Sequence, residues 1–274
     1  MKTHPNKATP RVYHTLRQIV QIIPRWLIDR TANAHSVDAR KFSATSHFVM
    51  LILGHLSRAS CLTEICDDAS LNAGRLRLVR NATPGKRNTF SHANRTRPAE
   101  VAEEVYWETA RHLGKVSPDF IPPERVRGFL SRFKDRGIFA IDSSVIRLAL
   151  SCIASCPYRS RKAAASTICE LYRARWEIEV FFKELKQTLQ LTDFIGTNEN
   201  AVKWQICTGL LTHLLLHYLK SLSGWGKAFS RLVGIVRSAV WMDQDIVETL
   251  RLYGMASPPH RPQPHCIQQR LAGF

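Results

Sequence analysis

The chain has 274 residues, enough for a substantial core in one large or two small domains. Lys and Arg outnumber Asp and Glu by 39 to 22, a formal charge of +17, which points to a polyanionic partner and most simply to nucleic acid. The seven cysteines (Cys61, Cys66, Cys152, Cys156, Cys169, Cys207, Cys266) include no Cys-x2-Cys pair, which argues against a zinc ribbon and reads as reduced thiols of a cytosolic protein.

Residues 1–10 are polar and carry no apolar core of a signal peptide. Val12, Leu16, Ile19, Val20, Ile23, Trp26 and Leu27 recur at helical spacing and predict a helix over 11–32. Ser43 or Thr45 starts a second helix through 47–59, and 61–69 reads as a third. Asn72-Ala73-Gly74 is a turn signal. From Ala69 to Ala99 no acid occurs, yet Arg75, Arg77, Arg80, Lys86, Arg87, Arg95 and Arg97 all fall there. This segment reads either as a helix-turn-helix element binding DNA or as a solvated basic loop. Pro98 opens a helix over 99–113, and Pro118, Pro122 and Pro123 mark a linker. Gly137 to Leu150 reads as strand, turn, strand, with Asp142 at the end of the first apolar run. An acid there is costly unless it is paired or bound to a metal.

The stretch Leu171 to Asp193 reads as a helix, with Thr167 and Glu170 as its capping box. Its polar residues Tyr172, Arg175, Glu179 and Lys186 follow the spacing Tyr-x2-Arg-x3-Glu-x6-Lys. At about 100° per residue they fall at about 0°, −60°, −20° and −40°, one stripe about 60° wide. Leu171, Ile178, Phe181, Phe182, Leu185 and Leu189 occupy the neighbouring apolar flank. A carboxylate framed by cations suits a metal ion, and the cations suit phosphates. The most apolar stretch, Trp204 to Leu219, is short for a membrane span and predicts a buried core helix. Its His213 and His217 are an i,i+4 pair with no third metal ligand evident in the sequence, so they read as core or surface histidines. Helices follow over 227–239 and 243–252, and the Pro- and Gln-rich tail 257–274 reads as loose.

The Tyr172/Arg175/Glu179/Lys186 stripe resembles the signature of DDE transposases of bacterial insertion sequences, in the Tyr-Arg-Glu-Lys group of the insertion-sequence-four family. The words Leu171-Tyr172-Arg173, Arg175 to Lys183 and Lys186 to Leu191 carry the same resemblance. Ile141-Asp142-Ser143-Ser144 is similar to the family's first catalytic Asp, and 42–113 to its N-terminal helical domain. The resemblance implies a fold that is mainly α with a small β element. An N-terminal helical domain (1–117) precedes a linker (118–136), a truncated RNase H-like (α/β) transposase core (137–256) and the tail (257–274). It implies Asp142 and Glu179 as catalytic metal ligands for two Mg²⁺ or Mn²⁺ ions. Tyr172, Arg175 and Lys186 become phosphate contacts, joined by Arg75, Arg77, Arg80, Lys86, Arg87, Arg95 and Arg97 as DNA-binding cations. The implied partners are double-stranded DNA at the element's inverted repeats and a second copy in a synaptic homodimer. The implied location is the bacterial cytoplasm, at the nucleoid and away from membranes.

One part of the family pattern is missing. DDE chemistry uses three carboxylates around two metal ions. Only 36 residues separate Asp142 from Glu179 (179 − 142 − 1), and none from Ser143 to Cys169 is acidic. Strands average five to six residues and each crossover adds about a dozen, so the remainder of a five-stranded sheet does not fit there. The chain therefore reads as an internally shortened transposase. Two functions follow: a transposase with a defective core, or an inactive DNA-binding remnant that inhibits transposition.

Overall fold

A computed structural model describes residues 14–37, 42–120, 176, 179–189, 195–196 and 198–255. The strand–turn–strand with Asp142, the capping box, Tyr172, Arg175 and the tail lie outside the described residues.

Seven helices form the first part: α1 (Thr15–Gln21), α2 (Leu27–Ala34), α3 (Ala44–Ser57), α4 (Leu62–Leu71), α5 (Ala73–Arg77), α6 (Arg87–Thr96) and α7 (Glu100–Val116). The helix expected over 11–32 is two helices. Pro24 lies at the break, where its ring removes a donor and crowds the preceding turn. Ser43 caps α3, its hydroxyl accepting from the Ser46 N–H at 3.0 Å. The turn expected at Asn72 is only a junction, since α5 begins at Ala73 directly after α4. The basic segment contains a helix. In α6, Phe90, Ala93 and Asn94 face inward, while Arg87, Asn88, Ser91, His92 and Arg95 face outward.

Beyond 120, the described chain resumes as a helical segment that passes into a π turn at Glu184–Thr188. Then come α8 (Glu199–Leu222), α9 (Phe229–Ser238) and α10 (Ile246–Met255). The Trp204–Leu219 stretch is the buried core helix its composition predicts: Trp204, Leu211, Leu215, Leu216 and Leu219 are all shielded from solvent.

The core forms around α3 and α8. Ala44 through Leu56 are buried without exception, so α3 is apolar on nearly every side. Helix α8 packs on α3, α6, α7, α9 and α10, and residues from Leu16 to Leu250 share one apolar cluster. Arg237 of α9 donates from Nε to the Leu56 carbonyl at 2.7 Å, satisfying an end of α3 that its own helix leaves open. The ends of the described chain also meet. Leu16 N–H donates to the Val240 carbonyl at 3.0 Å, and His14 forms an isolated antiparallel bridge with Asp243. That bridge is the one β pairing among the described residues, so they are mainly helical and do not include the implied sheet.

Candidate functional site

Glu179 stands exposed on the helical segment that ends in the π turn. That segment is anchored by Leu185 and Leu189, which are buried, and by Phe181, which is partly buried against the core. Phe182, placed by periodicity on the apolar flank, is 43% exposed. By helical spacing it sits about 100° from Phe181, at the edge of the apolar flank. Leu189 N–H donates to the Glu184 carbonyl five residues back at 3.3 Å, so residues 184–188 advance by a different angle than α geometry assumes. Lys186 lies within this turn, exposed, with Nζ 5.9 Å from the Phe182 ring centre.

Glu184, the first residue of the π turn, meets α8. Its Oε2 accepts from His213 Nε2 at 2.9 Å and from His217 Nε2 at 2.8 Å. The two imidazoles are one helical turn apart, with ring centres separated by 4.3 Å. Phe181 stands edge-on to His213 at 5.2 Å, and Phe229 stacks on His217 at 4.4 Å. Burial pushes the Glu184 carboxyl up, but the hydrogen bonds from His213 and His217 outweigh it and hold it at about 2. At His213 the balance reverses: burial lowers the imidazole pKa more than Glu184 raises it. The three donor atoms lie within 4.8 Å of one another, and each residue is half-buried. Glu184 was not legible as a site residue. By helical spacing it sits about 140° from Glu179, off the signature stripe. The usable signal was the His213/His217 pair, which requires an acid from another element.

The cations of the basic segment divide into two groups. Arg75, Arg77, Lys86, Arg87 and Arg95 are exposed. Arg75 lies 3.8 Å from Asp243, an exposed pair that contributes little. Arg80 and Arg97 are committed to the helical body. The Arg80 guanidinium donates to the Val20 carbonyl at 2.9 Å and also to the Ile23 carbonyl, capping α1. Arg97 donates to the carbonyls of Ser43, at 3.2 Å, and Phe42. Of the described thiols, Cys61 is exposed, whereas burial raises Cys66 and Cys207 to about 11.

The structure thus describes Glu179 and Lys186 on one segment, while Asp142, Tyr172 and Arg175 lie outside the described residues. One exposed carboxylate does not make a two-metal centre. The Glu184/His213/His217 set does not fit Mg²⁺ either, because Mg²⁺ prefers an octahedron of oxygen donors.

A family model described as transposase DDE domain matches residues 67–215, and one described as a domain of unknown function (DUF4372) matches residues 14–79. The first spans more than half of the 274 residues, so the chain belongs to the transposase DDE domain family. The matched span includes Asp142, Tyr172, Arg175, Glu179 and Lys186. The chain is 30% identical over 112 residues to a protein of Sinorhizobium fredii carrying the name transposase y4zB, a match covering 41% of this chain and 31% of that protein. It is 42% identical over 57 residues to one of Geobacillus stearothermophilus named as a transposase for insertion sequence element IS5377, covering 21% and 15%. It is 36% identical over 85 residues to one of Synechocystis named as a transposase for insertion sequence element IS4SA, covering 30% and 24%. The matched stretches therefore span less than a third of each relative's length. No solved structure matches the chain. Among the described residues, no single helix is long and apolar enough to cross a membrane.

Proposed function

We propose that this chain is an insertion-sequence transposase of the Tyr-Arg-Glu-Lys group with an internally shortened catalytic core. In this reading it binds the double-stranded ends of its element but transfers strands poorly or not at all. The carrying observation is the family match that runs across residues 67–215 while only 36 residues separate Asp142 from Glu179, with no acid from Ser143 to Cys169. Asp142 and Glu179 would hold Mg²⁺ or Mn²⁺, which in a complete site activates a nucleophile and stabilises the leaving oxygen. Without the middle carboxylate the two ions lose a shared ligand. That loss of several kcal/mol lowers the rate at least about a thousandfold.

Arg175 and Lys186 would hold phosphates beside Glu179, with Tyr172 next to them. The exposed set Arg75, Arg77, Lys86, Arg87 and Arg95 supplies a second basic surface on α5, α6 and the loop between. A helix with an outward polar and basic face suits a DNA groove better than an irregular loop does. The resulting reading is a DNA-binding protein that occupies element ends as a homodimer or alongside full-length copies at the nucleoid.

The test incubates the purified chain with a transposon-end duplex and Mn²⁺, with Glu179→Gln as control. End binding without cleavage is expected. Robust cleavage that Glu179→Gln loses would mean that a third carboxylate arrives from elsewhere, such as a second subunit, and would overturn the inactive reading.

A further inference from the structure

We propose that Glu184, His213 and His217 form a binding site for a borderline divalent metal ion of the zinc class, separate from the DDE centre. Three observations carry it. Both imidazoles aim Nε2 at a single carboxylate oxygen, at 2.9 and 2.8 Å. The histidines are fixed one turn apart on α8, and Phe229 of α9 stacks on one of them at 4.4 Å. The carboxylate comes from a different element, the π turn, an irregularity that marks functional sites more often than ordinary helix does.

The donor set selects the metal. Two imidazoles and one carboxylate are the protein ligands of open tetrahedral zinc sites, with bonds of about 2.0–2.1 Å. Ligand atoms around such an ion lie about 3.3 Å apart, so each nitrogen needs to move only about half an ångström further from the carboxylate oxygen. Side-chain exposure of 12% for His213, 16% for Glu184 and 28% for His217 leaves an approach for the ion and for a fourth, solvent ligand. Nitrogen donors disfavour Mg²⁺ and Ca²⁺ and favour Zn²⁺, Co²⁺ and Ni²⁺. The triad Leu214-Leu215-Leu216 between the histidines contains no base, so the site offers no helix-borne group to activate water. Its consequence is mechanical. The ion would fasten the π turn, which carries Lys186 and follows Glu179, to the central helix α8.

The inference does not depend on the transposase reading, and its test separates the two. Full-length chain stripped of metal is titrated with Zn²⁺ by calorimetry and with Co²⁺ by visible absorption. One equivalent should bind, with the d–d bands of four-coordinate cobalt and without the thiolate charge-transfer band that cysteine ligation would add. Glu184→Gln keeps the side chain's shape and hydrogen-bonding oxygen, and should weaken binding by at least about a hundredfold, beyond the 10–100-fold typical of indirect contacts. His217→Asn, at the more exposed ligand, should do the same. Glu179→Gln should leave zinc binding unchanged even though it removes a carboxylate of the DDE reading. Absence of the cobalt bands in the wild-type chain overturns the site, whatever the variants do to folding. So does zinc binding of equal strength in folded Glu184→Gln.

Discussion

The first half of α8 meets α3 and α6 through neutral hydrogen bonds; in its second half two histidines meet a carboxylate. Asn200 donates from Nδ2 to the carbonyls of Arg97, at 2.7 Å, and Asn94, at 2.9 Å, and Trp204 donates from Nε1 to the Arg97 carbonyl at 2.8 Å. The buried imidazoles facing this half, His47 and His55 of α3, pair with the Asn94 carboxamide at 2.6 Å and the Thr208 hydroxyl at 3.1 Å. Neither partner is charged, and burial lowers His47 to about 3 and His55 to about 4. Thirteen residues after Trp204 along the same helix, His217 meets Glu184 in a half-buried, partly open setting. Histidine therefore does two jobs in one fold: where it is sealed and matched to a neutral partner it builds the core, and where it is open and matched to an acid it is available for binding.

The largest expected effect tests the sealed half. Trp204→Ala removes a side chain only 1% exposed, whose ring lies 4.2 Å from His47 and 5.1 Å from Phe48. It should cost roughly 3–5 kcal/mol in chemical denaturation. A loss below about 1 kcal/mol would mean that α3 and α8 do not pack as described.

Acid sharpens the comparison next. The folded-state pKa values of His47 and His55 lie below the unfolded value of about 6.5. Below that pH the unfolded chain therefore binds more protons than the folded one. The stability they preserve is fully present above pH 6.5 and is lost as pH falls toward 4 and 3. Between pH 6.5 and 5.5 the two together should cost roughly 2 kcal/mol. Denaturation midpoints that stay flat across this interval would show that these imidazoles are not sealed in neutral form.

A smaller effect is expected at the open half. Phe181 is only partly buried, so Phe181→Ala should cost about 2 kcal/mol, less than the roughly 3–5 of a sealed ring. A loss equal to that of Trp204→Ala would mean that the π-turn segment belongs to the rigid core.

The legibility of the sequence follows the same division. Capping signals, apolar runs and helical periodicity located α3, α7, α8, α9 and α10, because each buries apolar side chains against its neighbours. Periodicity joined α1 to α2, because it continues on both sides of Pro24 while the backbone does not. The transposase DDE family was legible in the residue types and spacing of Tyr172, Arg175, Glu179 and Lys186. Glu184 could not be read. Its partners lie on another helix, His213 being 29 residues away in sequence, and no local pattern announces that packing. Nor did the charge count separate Arg80 and Arg97 from their neighbours. A guanidinium that caps a helix and one that faces solvent look alike until the carbonyls around them are placed.

The smallest effect on stability belongs to the outward face of α6, and it carries the DNA reading. Arg87 begins that helix on its exposed face, so Arg87→Ala should change stability by no more than about 0.5 kcal/mol. Binding to a duplex should nonetheless weaken, because each lysine or arginine at a phosphate releases counterions when it binds. The slope of log affinity against log salt should become shallower by about 1, uniformly across DNA sequences if Arg87 contacts only phosphates. Arg97→Ala makes the opposite pair of changes. Its loss strands the Phe42 and Ser43 carbonyls and should lower stability by about 1–3 kcal/mol, with the salt slope of the folded protein unchanged. If Arg87→Ala leaves the salt slope intact while Arg97→Ala flattens it, the polyanion meets a different face of the molecule, and the division between exposed and committed cations is wrong.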